Sequence, residues 1–274
     1  MLQKELEVHA KEIRKQIITM VYQAQSGHPG GSLSATDILT VLYFDVMDIN
    51  TDNVKGIDRD RFVLSKGHAS PLLYGTLKEK GLLKEDISTF RKFNSKLQGH
   101  PNMNYVEGVD MSTGSLGQGI SAAVGMALAN KIDQKEHRIY ALLGDGECEE
   151  GEVWEAAMAA AHYQLDNLCA IVDFNGLQID GDIKAVMNPT PIGKKFEAFG
   201  WNFLSIDGHD YQEIKEAFEK AKECKGKPTM ILANTIKGKG VSFMENNAAW
   251  HGSAPNKEQY TLALQEVEGE ISYE

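Results

Sequence analysis

Asp145 and Asn175 each close an apolar run, the first in ALLGDG and the second in AIVDFN, and they stand thirty residues apart. That separation is about the length of one strand–helix–strand unit. If the two runs are neighbouring parallel strands, both residues reach one sheet edge about 5 Å apart. Ligands of open α/β sheets bind in the crevice at that edge. A carboxylate and an amide carbonyl are hard oxygen donors, which suits Mg2+ or Ca2+ and not zinc. The turn Asn175-Gly176-Leu177 can add the backbone carbonyl of Leu177. Gly144 and Gly146 let the backbone come close to a phosphate, and the following helix points its N-terminus at the same place. The expected ligand is therefore a metal-bound diphosphate, held through Asp145, Asn175 and Leu177 with Gly146 beside it. Gly-Asp-Gly alone would equally suit an ordinary strand-end turn; the spacing and the matching Asn favour the metal.

Four of the eight histidines, His28, His68, His100 and His251, adjoin glycine in expected loops. A single loop histidine is more often solvated than catalytic. Four together can offer hydrogen-bond donors and proton carriers near neutral pH to a hydroxylated substrate. His9, His137, His162 and His209 fall on expected helices or connections and receive no role. Lys237 and Lys239, in IKGKG, either add positive charge near the diphosphate or form a solvated turn.

These residues need a frame. Leu6, Ile13, Ile17 and Met20 share one face of an expected helix over about 2–25. The Gly/Pro stretch SGHPGGSLS reads as a loop, followed by a helix over about 36–46 that the capping-box pattern Ser34-x-x-Asp37 would open. Residues 61–64 read as a buried strand and 70–80 as a helix, while 91–116 look irregular. From TGSLGQG onward the chain alternates clearly. A helix of small residues (Ala122, Ala123, Gly125, Ala127, Ala129) is followed by RIYALLGDG, EVWEAAMAAAHYQ, NLCAIVDFN, WNFLSID, YQEIKEAFEKAKE and PTMILANT. Such alternation indicates an α/β domain: a doubly wound parallel sheet with helices on both faces. No repeat or linker interrupts it, so residues 1–274 are expected to be one domain, with a polar C-terminal tail from about 253.

Composition narrows the classes. A chain of 274 residues that is 42% hydrophobic can bury a large core. A net charge of −11 argues against nucleic acid, which needs a basic face. Three cysteines without CxxC spacing read as reduced, structural and intracellular. The N-terminus lacks the apolar core of a signal peptide, and no stretch is long enough to span a membrane. The expected address is the cytoplasm.

The motifs also occur together in a known order. Gly-Asp-Gly, about thirty residues and then Asn is the motif of thiamine-diphosphate enzymes. SGHPGGSLS, SKGHASPLLY, GHP, TGSLGQG and WHG accompany it at 26–34, 65–74, 99–101, 113–119 and 250–252. In this the chain resembles the N-terminal, diphosphate-binding half (PP domain) of transketolase over nearly its whole length. The resemblance implies thiamine diphosphate with Mg2+, Ca2+ or Mn2+ as cofactors. It implies that His28 and His251 contact sugar hydroxyls and stabilise an oxyanion, and that His251 also borders the cofactor. His68 would touch the diphosphate and His100 would shuttle protons. Gly114, Ser115 and Leu116 would cradle the aminopyrimidine, Gly146 and Asn175 would meet the diphosphate, and Asp145, Asn175 and the Leu177 carbonyl would hold the metal. Glu150 and Glu155 match acids that link two active sites across a dimer, and equally suit a helix N-terminus.

In that family a glutamate essential to the cofactor, and arginines gripping the sugar phosphate, lie in a pyrimidine-binding domain that this sequence does not contain. The resemblance therefore implies a split transketolase. A second subunit would supply the pyrimidine-binding and C-terminal domains, in a two-fold heterotetramer acting on sugar phosphates. A related ketol transferase with other sugars, or a non-catalytic regulatory paralogue, are the alternatives.

Overall fold

Residues 1–269 are described in the computed structural model of the protein. The chain runs α1 (Gln3–Ala24), α2 (Pro29–Ser34), α3 (Thr36–Val41), β1 (Arg61–Leu64), α4 (Ser70–Glu79) and α5 (Gln118–Ile132). It continues with β2 (Ile139–Gly144), α6 (Gly151–His162), β3 (Leu168–Phe174), the short strands β4 (Leu177–Gln178) and β5 (Gly181–Asp182), α7 (Ile183–Met187) and α8 (Ile192–Ala198). It closes with β6 (Asn202–Asp207), α9 (Tyr211–Glu223), β7 (Thr229–Asn234) and α10 (Lys257–Glu268). Among the described residues five strands form one sheet in the order β1-β2-β3-β7-β6, every pair parallel. The expected doubly wound α/β sheet is the fold observed.

Side chains alternate between the two sheet faces, and two cores follow from that period. Phe62, Leu64, Tyr140, Leu142, Ile171 and Ile231 pack one face against α1, α3, α4 and α9. Val63, Ala141, Leu143, Ala170 and Val172 pack the other against α5, α6 and α8. Small residues on α5, such as the buried Ala123 and Ala127, let that helix lie close on its neighbours. Cys148, Cys169 and Cys224 are all free thiols. No helix among the described residues is long and apolar enough to cross a membrane.

Three expectations are corrected. SGHPGGSLS is not a loop throughout, because residues 29–34 form α2, with Pro29 at its start. Gly30 serves close approach: a Cβ there would lie 2.9 Å from the Trp250 carbonyl oxygen. Ser34 and Asp37 form no capping box. Ser34 Oγ donates instead to Asp173 at 2.5 Å. Asp37 is taken by a two-pronged Arg14 pair at 2.7 and 3.0 Å, by Tyr211 Oη at 2.7 Å and by His209 Nδ1 at 2.8 Å. A buried carboxylate is worth far more in such a set than at a helix end. The helix then continues past Val41 as a π-turn over Leu42–Val46.

The polar stretch read as a tail from about 253 carries α10, opened by a capping box of Asn256 and Gln259. Tyr260, Ala263, Leu264 and Val267 recur at helical spacing and join the core, and Tyr260 stacks on Tyr22 of α1 at 4.1 Å. The part of the expected tail after residue 269 lies outside the described residues.

Candidate active site

The register of β2 on β3 sets Gly144 opposite Asp173, so the chain leaves both strands side by side at their C-terminal ends. Asp145 is 3% exposed, and its Oδ2 accepts from Gly176 N at 2.6 Å across the strand ends. Its Oδ1 accepts from Gly146 N at 2.8 Å. No ammonium or guanidinium bonds it among the described residues. Burial, with repulsion from Asp173, pushes the carboxyl up to about 6. A carboxylate has about four acceptor sites, and two remain free.

Asn175 Oδ1 accepts from Leu177 N at 3.1 Å, which turns the chain so that Asn175, Leu177 and Asp145 line one cleft. That cleft, a cavity of about 150 Å³ at the strand ends, is also bordered by His68, Leu116, Gly146, Lys237 and His251. One carboxylate, one amide oxygen and one peptide carbonyl are a hard-cation set. No group of three His, Cys, Asp or Glu is gathered for a metal among the described residues, so any ion here depends on those neutral oxygens. The N–H of Gly146 is committed to Asp145, and its bare α-carbon lets Gln178 lie close, since a Cβ there would stand 3.3 Å from Gln178 Cβ.

The histidines do converge. His28 meets His68 and His251 ring to ring at 5.2 and 5.5 Å, and His68 lies 5.1 Å from His251. His100 stands behind Gly114, where a Cβ would lie 3.2 Å from its ring. The 113–116 turn is seated on the His68 turn: a Cβ on Gly67 would come within 2.8 Å of the Gly114 nitrogen. Leu116 reaches the cleft, whereas Ser115 is exposed on the same turn and does not line it. Glu150 and Glu155 are exposed at the start of α6.

All four rings are driven towards the neutral form. Burial, then Arg91, His100 and Lys237, lower His28 to about 4. Burial, then Lys237, His28 and Lys66, lower His251 to about 3. His68 and His100 are lowered as well, burial leading in each, followed by Lys66 for the first and Arg91 for the second. Neutral rings are donors and acceptors for hydroxyl groups, not fixed cations. The unfolded chain takes up these protons first. The stability the rings lend is therefore full above about pH 6.5 and declines as pH falls towards the folded values. In an NMR titration, the carbon-bound ring protons of His28 and His251 should stay flat from about pH 5 to 8. A midpoint near the ordinary imidazole value in either would contradict this.

Three further residues carry the site: Lys66 and Asp173, to which the sequence assigns no part, and Lys237, whose two readings it leaves open. Lys237 is 2% exposed, not a solvated turn, and its Nζ reaches the Leu177 carbonyl at 3.0 Å and His251 Nδ1 at 3.1 Å. Burial, with Lys66 nearby, lowers it to about 8. Lys66 and Asp173, 2% and 0% exposed, pair at 2.5 Å under the cleft. Asp173 also accepts from Ser34, Thr235 and Asn175 Nδ2. A charged residue inside the apolar run AIVDF was the available signal, since buried strands of parallel sheets rarely hold one.

A doubly wound α/β domain with an oxygen-donor cleft and a cluster of neutral histidines at its strand ends is the class that fold and site define. Residues 6–269 match the family described as transketolase, thiamine diphosphate binding domain, and the chain belongs to that family. It is 44% identical to an apulose-4-phosphate transketolase subunit of Phocaeicola vulgatus, over 97% of this chain and 95% of that one. It is 46% identical to a 6-deoxy-6-sulfo-D-fructose transketolase subunit of Clostridium sp. strain MSTE9, over 98% of each. Campylobacter jejuni transketolase superposes with a TM-score of 0.91 at 39% identity, over 98% of this chain and 43% of that one. The chain thus spans about two fifths of the length of such full transketolases.

Proposed function

We propose that this chain is the diphosphate-binding subunit of a split, thiamine-diphosphate-dependent transketolase. The pair of subunits transfers a two-carbon ketol unit from a ketose phosphate to an aldose phosphate in the cytoplasm. The partner supplies the pyrimidine-binding and C-terminal domains, and the two assemble as a two-fold heterotetramer. The observation that carries this reading is the near-complete mutual coverage with two proteins named as transketolase subunits.

The cleft has the donors such a cofactor requires. Asp145, Asn175 and the Leu177 carbonyl hold Mg2+ (Ca2+ and Mn2+ suit the same oxygens), and Lys237 and His68 face the diphosphate. Gly114 and Leu116 border the aminopyrimidine, with Ser115 beside them. When bound, thiamine diphosphate supplies an electron sink next to the substrate carbonyl. His28 and His251 hydrogen-bond the sugar oxygens as neutral donors and stabilise negative charge that develops there. His100 sits behind them as a proton carrier.

A second reading concerns the sugars alone. The relatives are named for apulose 4-phosphate and for 6-deoxy-6-sulfo-D-fructose, which favours a dedicated ketol transferase over a general one. The test is to isolate the chain with whatever co-purifies from its own cell, add thiamine diphosphate and Mg2+, and screen phosphorylated and sulfonated ketoses for ketol transfer. Transfer by the complex and not by the chain alone supports the split enzyme. A chain that recruits no second subunit and shows no transfer is the regulatory paralogue instead.

A further inference from the structure

Arg91 opens the irregular segment over 91–116, and so far its only part in the site is to help keep His28 and His100 neutral. Its backbone lies in the left-handed region, at φ 58°, which residues other than glycine rarely adopt. The bend is held by its own N–H, which donates to the Leu97 carbonyl at 2.8 Å. It turns the side chain back towards the histidines. Nη1 donates to Ser26 Oγ at 2.9 Å, and Nη2 lies 3.5 Å from His28 Nδ1. The guanidinium lies so close on Gly99 that a Cβ there would come within 2.7 Å of Cζ. Backbone conformation, the bare glycine and the serine anchor all serve one side-chain placement. Backbone departures of this kind concentrate where function over-determines the geometry.

We propose that Arg91 is a positioning residue for His28: it takes Nδ1 of the ring as its acceptor and holds the imidazole in the tautomer protonated on Nε2. A guanidinium has donors only and does not lose its proton, so the nitrogen facing it must carry the lone pair. At 3.5 Å the contact is long, and this exclusion of the other tautomer matters more than its strength. The Nε2 edge then faces the His251 turn, 3.7 Å from where a Cβ on Gly252 would be. His251 is set in the same way, with Lys237 Nζ at 3.1 Å from its Nδ1. Two cations behind two rings thus aim two Nε2–H donors. The other charged or titratable groups facing His28 are His68, His100, His251 and Lys237, and none of them bonds its Nδ1. Burial and the charge of Arg91 together keep His28 neutral. That this arrangement serves ketol transfer rests on the function proposed above; the tautomer itself does not.

The test is long-range 1H–15N correlation of the imidazoles in the uniformly 15N-labelled full chain at neutral pH. In the wild-type protein His28 should carry its proton on Nε2. A proton on Nδ1 overturns the proposal without any variant. In Arg91→Met, His28 should relax to a mixture of tautomers while His9 and His209, outside the cluster, keep their signals. An unchanged His28 overturns the proposal, and so does a change that His9 and His209 share, because the effect is then general and not that of one contact. With the partner present, the same variant should lose roughly tenfold or more in kcat with little change in KM. If His28 responds and no ketol transfer is found in any complex, the functional reading fails and the role of Arg91 stands.

Discussion

Replacing Asp145 with alanine is expected to abolish metal-dependent binding of thiamine diphosphate by the assembled enzyme. The carboxylate is 3% exposed, is bonded by no cation among the described residues, and has two acceptor sites left after Gly146 and Gly176. It is the only formal negative charge in the proposed donor set, since Asn175 and the Leu177 carbonyl are neutral. The loss in apparent Mg2+ affinity should therefore exceed the roughly 10–100-fold that follows from removing a supporting group around a metal. Calorimetric titration of Mg2+ into the complex with thiamine diphosphate present measures it. The variant's urea unfolding transition should move only modestly, because losing the acceptor of the Gly146 and Gly176 N–H groups is offset by removing a buried charge that no cation pairs. Unchanged metal affinity would rule out Asp145 as a ligand.

The second large effect is on stability. Asp173→Ala leaves the Lys66 ammonium, 2% exposed, with only the Gly31 carbonyl, at 2.7 Å, among the described residues. Removing one member of such a pair costs about 3–5 kcal/mol, because a buried charge is left without its counterion. Lys66→Met together with Asp173→Asn should recover much of that loss, since removing both charges removes both desolvation costs. Urea denaturation of Lys66→Met, Asp173→Asn and the double gives the coupling; independent, additive losses would refute the pair. Burial alone would raise the Asp173 carboxyl, but Lys66 and the Ser34 and Thr235 hydroxyls hold it below the usual range. Its contribution is thus fully present above about pH 4 and is lost as pH falls through the lower folded value.

Asp173 also explains why its neighbours are in register. Its carboxylate accepts from Ser34 at the end of α2, from Lys66 before the His68 turn, from Asn175 and from Thr235 two residues before Lys237. Those are four separate segments, and each brings one part of the cleft. The network couples the positions of the proposed metal ligands to those of the histidines, a coupling that spacing along the chain does not express.

The amino-acid sequence by itself determined the alternation of strands and helices, and with it the parallel sheet. Continuous apolar runs such as IYALL and LCAIV can bury both faces only between helices. It also determined that Asp145 and Asn175 share an edge, because adjacent parallel strands end together. Glycine beside each of four histidines was a local signal, and it was readable because it concerns backbone approach within a few residues. What only the tertiary structure decided are the contacts between segments distant in sequence. Ser34 and Asp37 look like a helix cap because nothing nearby shows that Asp173 and Arg14 will claim them. Residues 257–268 look like a tail until α1 offers an apolar face. Nothing local marks Lys66 or Arg91 as buried, and Lys237 reads equally as a diphosphate contact or a solvated turn, since a charged side chain in a sequence does not reveal whether its partner is water or a buried group. Local propensities cost or contribute tenths of a kcal/mol to about one, whereas burying a charge with or without its partner decides several, and the fold alone sets which charges are buried.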